Sequence, residues 1–204
     1  MPHSEPLASG RTEAGPAPAS ASARRPAWER GAGGVDGSTA RALAAAVEGD
    51  VRLGRHDRLL YATDASIYQA EPLAVVVPTD REDAARALRF CRSRGLSVLP
   101  RAGGTSLAGQ AVNRAVVIDT SAHLDRLLDV DPASRTCCAE AGVTLGVLNE
   151  SLIGHGLHFA PDPSTFRQAT VAGVIGNNAA GVHSILYGRT SENVRAVEAA
   201  LCSG

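Results

Sequence analysis

Between Leu73 and Pro78 the chain runs LAVVVP, an unbroken apolar stretch of strand length that suits a strand covered on both faces. Pro78 ends it, and Thr79-Asp80 follows as a helix cap. The period then changes from 2 to 3.6. Ala84, Ala85, Leu88 and Cys91 recur on one helical face, Arg86, Arg89, Arg92 and Arg94 cover the other, and Gly95 closes the helix. Ser97 to Pro100 is a second short strand, so residues 73–100 predict a strand-helix-strand unit with parallel pairing. Further strands are predicted at Ala115 to Asp119, Leu127 to Asp131 and Arg135 to Ala141. A helix then spans Thr144 to Ile153, GHGLHF leads from it into a strand, and Val194 to Cys202 reads as a last strand. Nearer the start, Ser38 or Thr39 caps a short helix reaching Val47, and residues 62–66 form a loop. This order predicts an α+β fold with two subdomains: a small parallel α/β unit, then a mixed or antiparallel sheet with helices.

Composition adds a boundary. Residues 1–37 hold five Pro and six Gly among many Ala and Ser, with almost no branched aliphatic side chains. Such a segment cannot bury enough apolar surface to offset its ordering entropy, so it is expected to be a disordered arm preceding a folded body over 38–204.

All 20 basic residues of this 204-residue chain are arginines. The absence of lysine excludes a phosphate loop ending in Gly-Lys-Ser/Thr, a Schiff-base lysine and a lysine general base. A formal net charge of −1 argues against a dedicated nucleic-acid or anionic-membrane surface. No apolar run approaches the roughly 20 residues that span a bilayer. Arg24-Arg25 is followed by Pro26, Trp28, Glu29 and Arg30 where an export signal needs an apolar region, so a cytoplasmic location is expected. Four cysteines are too few for a disulfide scaffold, and adjacent Cys137-Cys138 lacks Cys-x-x-Cys geometry, so buried structural thiols are expected. His155 and His158 stand three apart without a convergent third ligand, and no metal site is expected. Neither a Gly-x-Ser-x-Gly elbow nor a His-Glu-x-x-His helix occurs.

Two segments carry candidate chemistry. RAGGTSLAGQ, Arg101 to Gln110, directly follows a predicted strand. Gly103, Gly104 and Gly109 let the backbone approach an anion, Thr105 and Ser106 add hydroxyls, and Arg101 adds a positive charge, which together suit a pyrophosphate. The loop is not a Gly-x-Gly-x-x-Gly fingerprint, and the partial match Gly31-x-Gly33 falls in the arm with no strand before it. The plain alternative is a glycine-rich connection. The second segment is FAPDPST, Phe159 to Thr165, followed by ATVAGVIGNNAAGVHSILYGRT, Ala169 to Thr190. Its small residues suit backbone laid against a large flat ligand, with Asn177, Asn178, His183 and Ser184 at the rim, or else a small-residue helix packed closely on a neighbour. Pro161-Asp162-Pro163 is a rigid turn either way.

RAGGTSLAGQ paired with APDPST and IGNNAAGVHSILYGRTSENV resembles the FAD-binding domain of the vanillyl-alcohol-oxidase / para-cresol-methylhydroxylase flavoprotein superfamily. Within it, the glycolate oxidase, D-lactate dehydrogenase and D-2-hydroxyglutarate dehydrogenase branch is the most similar, especially members carrying an additional iron-sulfur region. The resemblance implies that Arg101, Ala102, Gly103, Gly104, Thr105 and Ser106 wrap the FAD pyrophosphate, with Gly109 and Gln110 closing the loop. It places Pro161, Asp162, Pro163 and Ser164 near the flavin ring. Thr170, Gly173, Gly176, Asn177, Ala180, Gly181, Tyr187 and Gly188 continue along ring, ribityl and phosphates. Some members attach flavin through a histidine in the first loop; Thr105 and Ser106 stand there here, which implies non-covalent FAD.

The chain departs from that pattern where Ala172 replaces glycine, Ala141 replaces proline and Ser203-Gly204 replaces Asp-Gly. It also stops before the substrate domain that in the family supplies the catalytic residues, which implies an FAD domain that is incomplete at its C-terminal end. The leading expectation is a portion of an FAD-linked oxidoreductase acting on a small 2-hydroxy acid by hydride transfer. The alternative is a non-catalytic flavin-binding fragment or half of a split enzyme, completed by a partner chain or a downstream iron-sulfur region. A third reading places the domain beside sugar oxidases or the enolpyruvyl-glucosamine reductase.

Overall fold

A computed structural model describes residues 33–201. Val35 donates from its backbone N–H to Leu73 O, and Asp36 begins a helix, so the last residues of the predicted arm belong to the fold, while residues 1–32 lie outside the described ones.

Helix α1 covers Gly37–Ala46. Its cap is Asp36 rather than Ser38 or Thr39. The Asp36 carboxylate accepts both N–H groups and both hydroxyls of those two residues, which outcompetes either hydroxyl acting as the cap. Strand β1, Asp50–Arg52, and helix α2, Arg55–Leu60, come next, and neither was predicted. They are three and six residues long, too short to show a period, and α2 starts at Gly54 without a side-chain cap. Instead Arg58, almost wholly buried, donates to Leu53 O and Pro72 O and pairs with Glu71 at 3.0 Å.

Strand β2 is Ala74–Val77, helix α3 Arg81–Ser93 capped by Asp80, β3 Val98–Arg101 and β4 Val116–Asp119. Gly95, at φ +64°, ends the helix region as predicted. The sheet order is β1-β2-β4-β3, with β1 antiparallel and the others parallel. β2 and β3 are therefore parallel, as predicted, but not neighbours. The four-residue β4, buried at every position like β2, slots between them. Alternate residues face opposite ways. Ala74, Val76, Val116 and Ile118 meet Leu43 and Val47 of the α1 region and Ala87 and Cys91 of α3, while Val75, Val77 and Val117 meet Tyr61 and Leu99.

The second half begins with the antiparallel hairpin of β5, Leu127–Asp131, and β6, Thr136–Ala139. Helix α4, Leu145–Ile153, is capped by the Thr144 hydroxyl. Val143, Leu145, Leu148, Leu152, Ala169 and Val174 form a second core, against which Leu127, Val130 and Ala139 pack. Cys91 is buried, but Cys137 and Cys138 are exposed, against expectation: among the described residues the hairpin has two strands, and no third strand covers them. Cys202 lies outside the described residues. After α4 the GHGLHF stretch turns at Gly156, φ +68°, and forms no strand. Short helices α5, Val171–Gly176, and α6, Ser184–Tyr187, follow, then a 3₁₀ turn at Thr190–Asn193. The strand predicted from Val194 does not form over residues 194–201. A strand exists through its partner's hydrogen bonds, and there the contacts are side-chain ones: Arg195 to Ser134 O and Glu198 to Arg81. The described residues, 33–201, group as a single compact unit containing both cores.

Candidate flavin site

Arg101 and Asp119 are register partners at the carboxyl ends of β3 and β4. The loop from Arg101 to Gln110 leaves the sheet there, the edge at which parallel sheets receive ligands. Gly104 and Gly109 sit at φ +63° and +78°, conformations that favour glycine. Contact explains the rest of the pattern. A Cβ on Gly103 would stand 2.2 Å from Gln168 O, and one on Gly109 would stand 2.6 Å from the Tyr68 ring.

The backbone N–H groups of Ala102, Gly103, Gly104, Thr105 and Ser106 donate to no acceptor among the described residues. Consecutive free donors on a glycine-rich loop are the groups from which an anion-receiving concavity is built. The Ser106 hydroxyl is engaged inside the loop, bonding Gln110 Oε1 and accepting from Ala108 and Gln110 N–H. The Arg101 guanidinium is engaged too. Nη1 donates to Tyr61 O at 3.3 Å and to Ala111 O at 2.7 Å, and Nη2 donates to Thr63 O at 2.9 Å. The same guanidinium lies over the Tyr61 ring, 5.4 Å from its centroid. Tyr61 in turn donates its hydroxyl to Asp119 Oδ2 at 2.7 Å. Burial and that hydrogen bond push the Tyr61 phenol up to about 12, so it stays protonated. Asp64 accepts from the Ala111 N–H at 3.2 Å. Burial opposes its ionisation, but hydrogen bonds from Ser66 and Ala111 and the Arg101 charge outweigh that and hold its carboxyl below the usual range.

The first loop touches the second segment directly. Ala102 faces Gly173, whose Cβ would stand 3.4 Å from that of Ala102, and the Thr170 hydroxyl caps α5 by accepting from Gly173 N–H. Two of the three departures from the resembled pattern meet here, the Ala172 N–H donating to Ala141 O at 3.0 Å. The second segment also folds on itself. Gly181 packs on the Asp162 carbonyl, and the Ser184 hydroxyl accepts from Gly181 N–H and donates to Pro161 O. His183 Nδ1 lies 2.9 Å from Asp162 Oδ2. An open concavity of about 640 Å³ lies beside this knot, lined by Asp162, Pro163, Ser164, Phe166, Ala180, Gly181 and Val182. Gly176 and Asn177 end α5 at the surface, where a Cβ on Gly176 would meet nothing within 4 Å. Tyr187 and Gly188 end α6, Tyr187 meeting His158 edge-on and Gly188, at φ +78°, turning over Glu192.

Sequence reasoning missed Tyr61, Asp64, Tyr68, Asp119 and Gln168. Asp64 and Tyr68 lie in a loop without period, and nothing in the order of residues says that this loop returns to cover residues 101–111.

A glycine-built donor loop at the carboxyl edge of a parallel sheet, joined to a small-residue segment beside an open concavity, defines a dinucleotide-holding flavoprotein domain. Comparison with known proteins agrees. Residues 72–204 match the FAD binding domain family, and the chain belongs to it; its cofactor is FAD. It is 40% identical over 159 residues to the D-2-hydroxyglutarate dehydrogenase of Escherichia coli, and 37% identical over 137 residues to the D-lactate dehydrogenase of Archaeoglobus fulgidus. These alignments cover 76% and 66% of this chain but only 16% and 30% of the relatives. Among solved structures, an alkyldihydroxyacetonephosphate synthase superposes with a TM-score of 0.69 at 20% identity, covering 78% of this chain and 32% of that one; that likeness establishes the fold. Among the described residues no helix is long and apolar enough to cross a membrane.

Proposed function

We propose that this chain supplies the FAD-holding part of an oxidoreductase that converts a small 2-hydroxy acid to the 2-oxo acid. The observation that carries the reading is the run of five acceptor-free N–H groups from Ala102 to Ser106, on a turn where contacts and backbone angles demand glycine. The pyrophosphate of FAD supplies the matching oxygens. Gly103 and Gly104 bring the backbone up to it, and Thr105 offers a hydroxyl beside them. Gly109 and Gln110 close the loop, Gln110 through its bond with Ser106. Asp162 to Ser164 with Ala180 and Gly181 border the concavity in which the flavin ring is held, Pro161 anchors that turn through its carbonyl's bond from Ser184, and Thr170, Gly173, Gly176 and Asn177 run between ring and phosphates. Thr105 and Ser106 offer no nucleophile suited to flavin attachment, so the cofactor is held without a covalent bond.

When bound, FAD supplies the acceptor for the hydride that leaves the carbinol carbon. The protein contributes fixed dipoles and orientation. His183, fixed through Nδ1 by Asp162, leaves Nε2 available to bond at the rim of the concavity. The substrate class follows from the names of the relatives, D-2-hydroxyglutarate and D-lactate dehydrogenases. The side chains that bind and deprotonate the substrate are assigned to the further length that those relatives have.

The test is an absorption spectrum of the chain after incubation with FAD and desalting, followed by turnover of D-2-hydroxyglutarate, D-lactate and glycolate with an artificial electron acceptor. Retained, acid-releasable flavin supports the reading. Colourless, folded protein overturns it. Flavin retained without turnover supports the narrower alternative of a flavin-holding part that a further domain or partner chain completes.

A further inference from the structure

The Arg101 guanidinium sits beside the donor loop, where a positive charge suits a pyrophosphate, yet its hydrogen bonds go elsewhere. Two of its nitrogens reach three backbone carbonyls: Tyr61 O, Thr63 O and Ala111 O. Ala111 lies just past the loop's far end, and Tyr61 and Thr63 lie on the turn that packs against it. Gly104 crowds the same group, since a Cβ there would stand 2.6 Å from Nη2. The planar fork reaches three acceptors at once, and an ammonium group on a flexible stem cannot reproduce that geometry. Its stacking partner Tyr61 is itself anchored through its hydroxyl to Asp119 at the end of β4.

We propose that Arg101 is a positioning residue. It ties the two ends of the 102–110 loop to the 61–63 turn and so presets the N–H groups of Ala102 to Ser106 for a pyrophosphate, without itself bonding a phosphate oxygen. The inference rests on the FAD reading above for the identity of the anion, but the preset geometry exists before any ligand arrives.

Arg101→Lys separates this role from direct charge pairing, because it keeps the charge and loses the fork. Amide hydrogen exchange of Ala108, Gln110 and Ala111, the N–H groups of the loop and its far end that do have acceptors, is measured on the chain without flavin, and dissociation constants for FAD and riboflavin are measured at low and high salt. Exchange of the loop is expected to rise about tenfold in the variant, the effect of losing one or two hydrogen bonds. FAD is expected to bind about tenfold more weakly by the same loss, with unchanged salt dependence, while riboflavin, which has no pyrophosphate, binds as before. A general loss of structure would weaken both ligands alike. Unchanged loop exchange overturns the proposal, and so does FAD affinity that Lys preserves. If the wild-type chain binds no flavin, the FAD reading fails on its own and the exchange measurement still decides the positioning role. Should Arg101→Lys fail to fold, Tyr61→Phe keeps the stacked ring and removes the hydroxyl's bond to Asp119 together with the long one from Arg52. It is expected to move loop exchange the same way by a few-fold, and no change there overturns the proposal.

Discussion

Gly181 lies so close to Asp162 that a Cβ on the glycine would stand 1.7 Å from the Asp162 carbonyl oxygen. Asp162 is itself at φ +47°, an uncommon conformation for a residue with a side chain. The turn at 161–163 and the turn at 181–184 thus hold each other, with Ser184 bonded to both. Gly181→Ala cannot be absorbed by a rotating side chain, since backbone meets backbone. The variant is expected to lose at least about 2 kcal/mol in a denaturant melt and to release flavin, as overpacked sites do. A wild-type melt with flavin retained would mean that the two turns separate easily.

Asp83 is expected to make folding sensitive to acid. Its fully buried carboxylate accepts the N–H groups of Glu48, Gly49 and Thr79 and pairs with Arg86 at 3.0 Å. Burial works against the charge, but those donors outweigh it and hold the carboxyl below its ordinary value. A lowered folded pKa means that the unfolded chain binds the proton first. The stabilisation is therefore complete above the ordinary Asp value of about 4 and is lost as pH falls through the folded value. Asp83→Asn is expected to cost about 2–4 kcal/mol at pH 7, because three backbone N–H groups then compete for one acceptor oxygen and the Arg86 pair is lost. Denaturant melts at pH 7 and pH 3 check this: the gap between wild type and variant narrows in acid, and a constant gap would show that the charge contributes nothing.

Thiol chemistry separates the two halves of the fold. Burial pushes the Cys91 thiol up to about 11 and seals it between α3 and the sheet, whereas Cys137 and Cys138 are exposed. In the native state a maleimide is expected to modify Cys137 or Cys138 at least about a hundredfold faster than Cys91, which reacts only through opening of the core. Peptide mass mapping against time reads this directly, and comparable rates would mean that α3 opens readily.

How much of this could be read from the residues alone depends on whether the information is local. The AVVV and VVID strands, the Asp80 cap and the arginine-faced helix after it follow from period and capping, both properties of a short window. The strand order does not, because β4 entering between β2 and β3 is decided by which strand gains most from the centre of the sheet. The glycine loop was legible as a loop that approaches something. That Arg101 turns away from it to three carbonyls was not, since those carbonyls belong to residues 61, 63 and 111, two of them some 40 positions away. The Val194 strand fails for the same reason in reverse: its composition suits a strand, but pairing needs a neighbour that period cannot supply.

Gly176 gives the sharpest test of where the flavin lies. It is the last residue of α5, is exposed, and a Cβ there would meet nothing within 4 Å. On packing grounds alanine is free to enter, and in a helix it is favoured over glycine by about 0.5–1 kcal/mol through propensity and a less flexible unfolded chain. The chain without flavin is therefore expected to melt slightly later as Gly176→Ala. If the cofactor runs along Gly173, Gly176 and Asn177, the same methyl group stands in its path and FAD binds more weakly, so stability and affinity move in opposite directions. Parallel thermal melts and FAD titrations of wild type and variant read both quantities. A variant that gains stability and keeps its FAD affinity would place the flavin away from α5 and confine the site to the 102–110 loop and the Asp162 concavity.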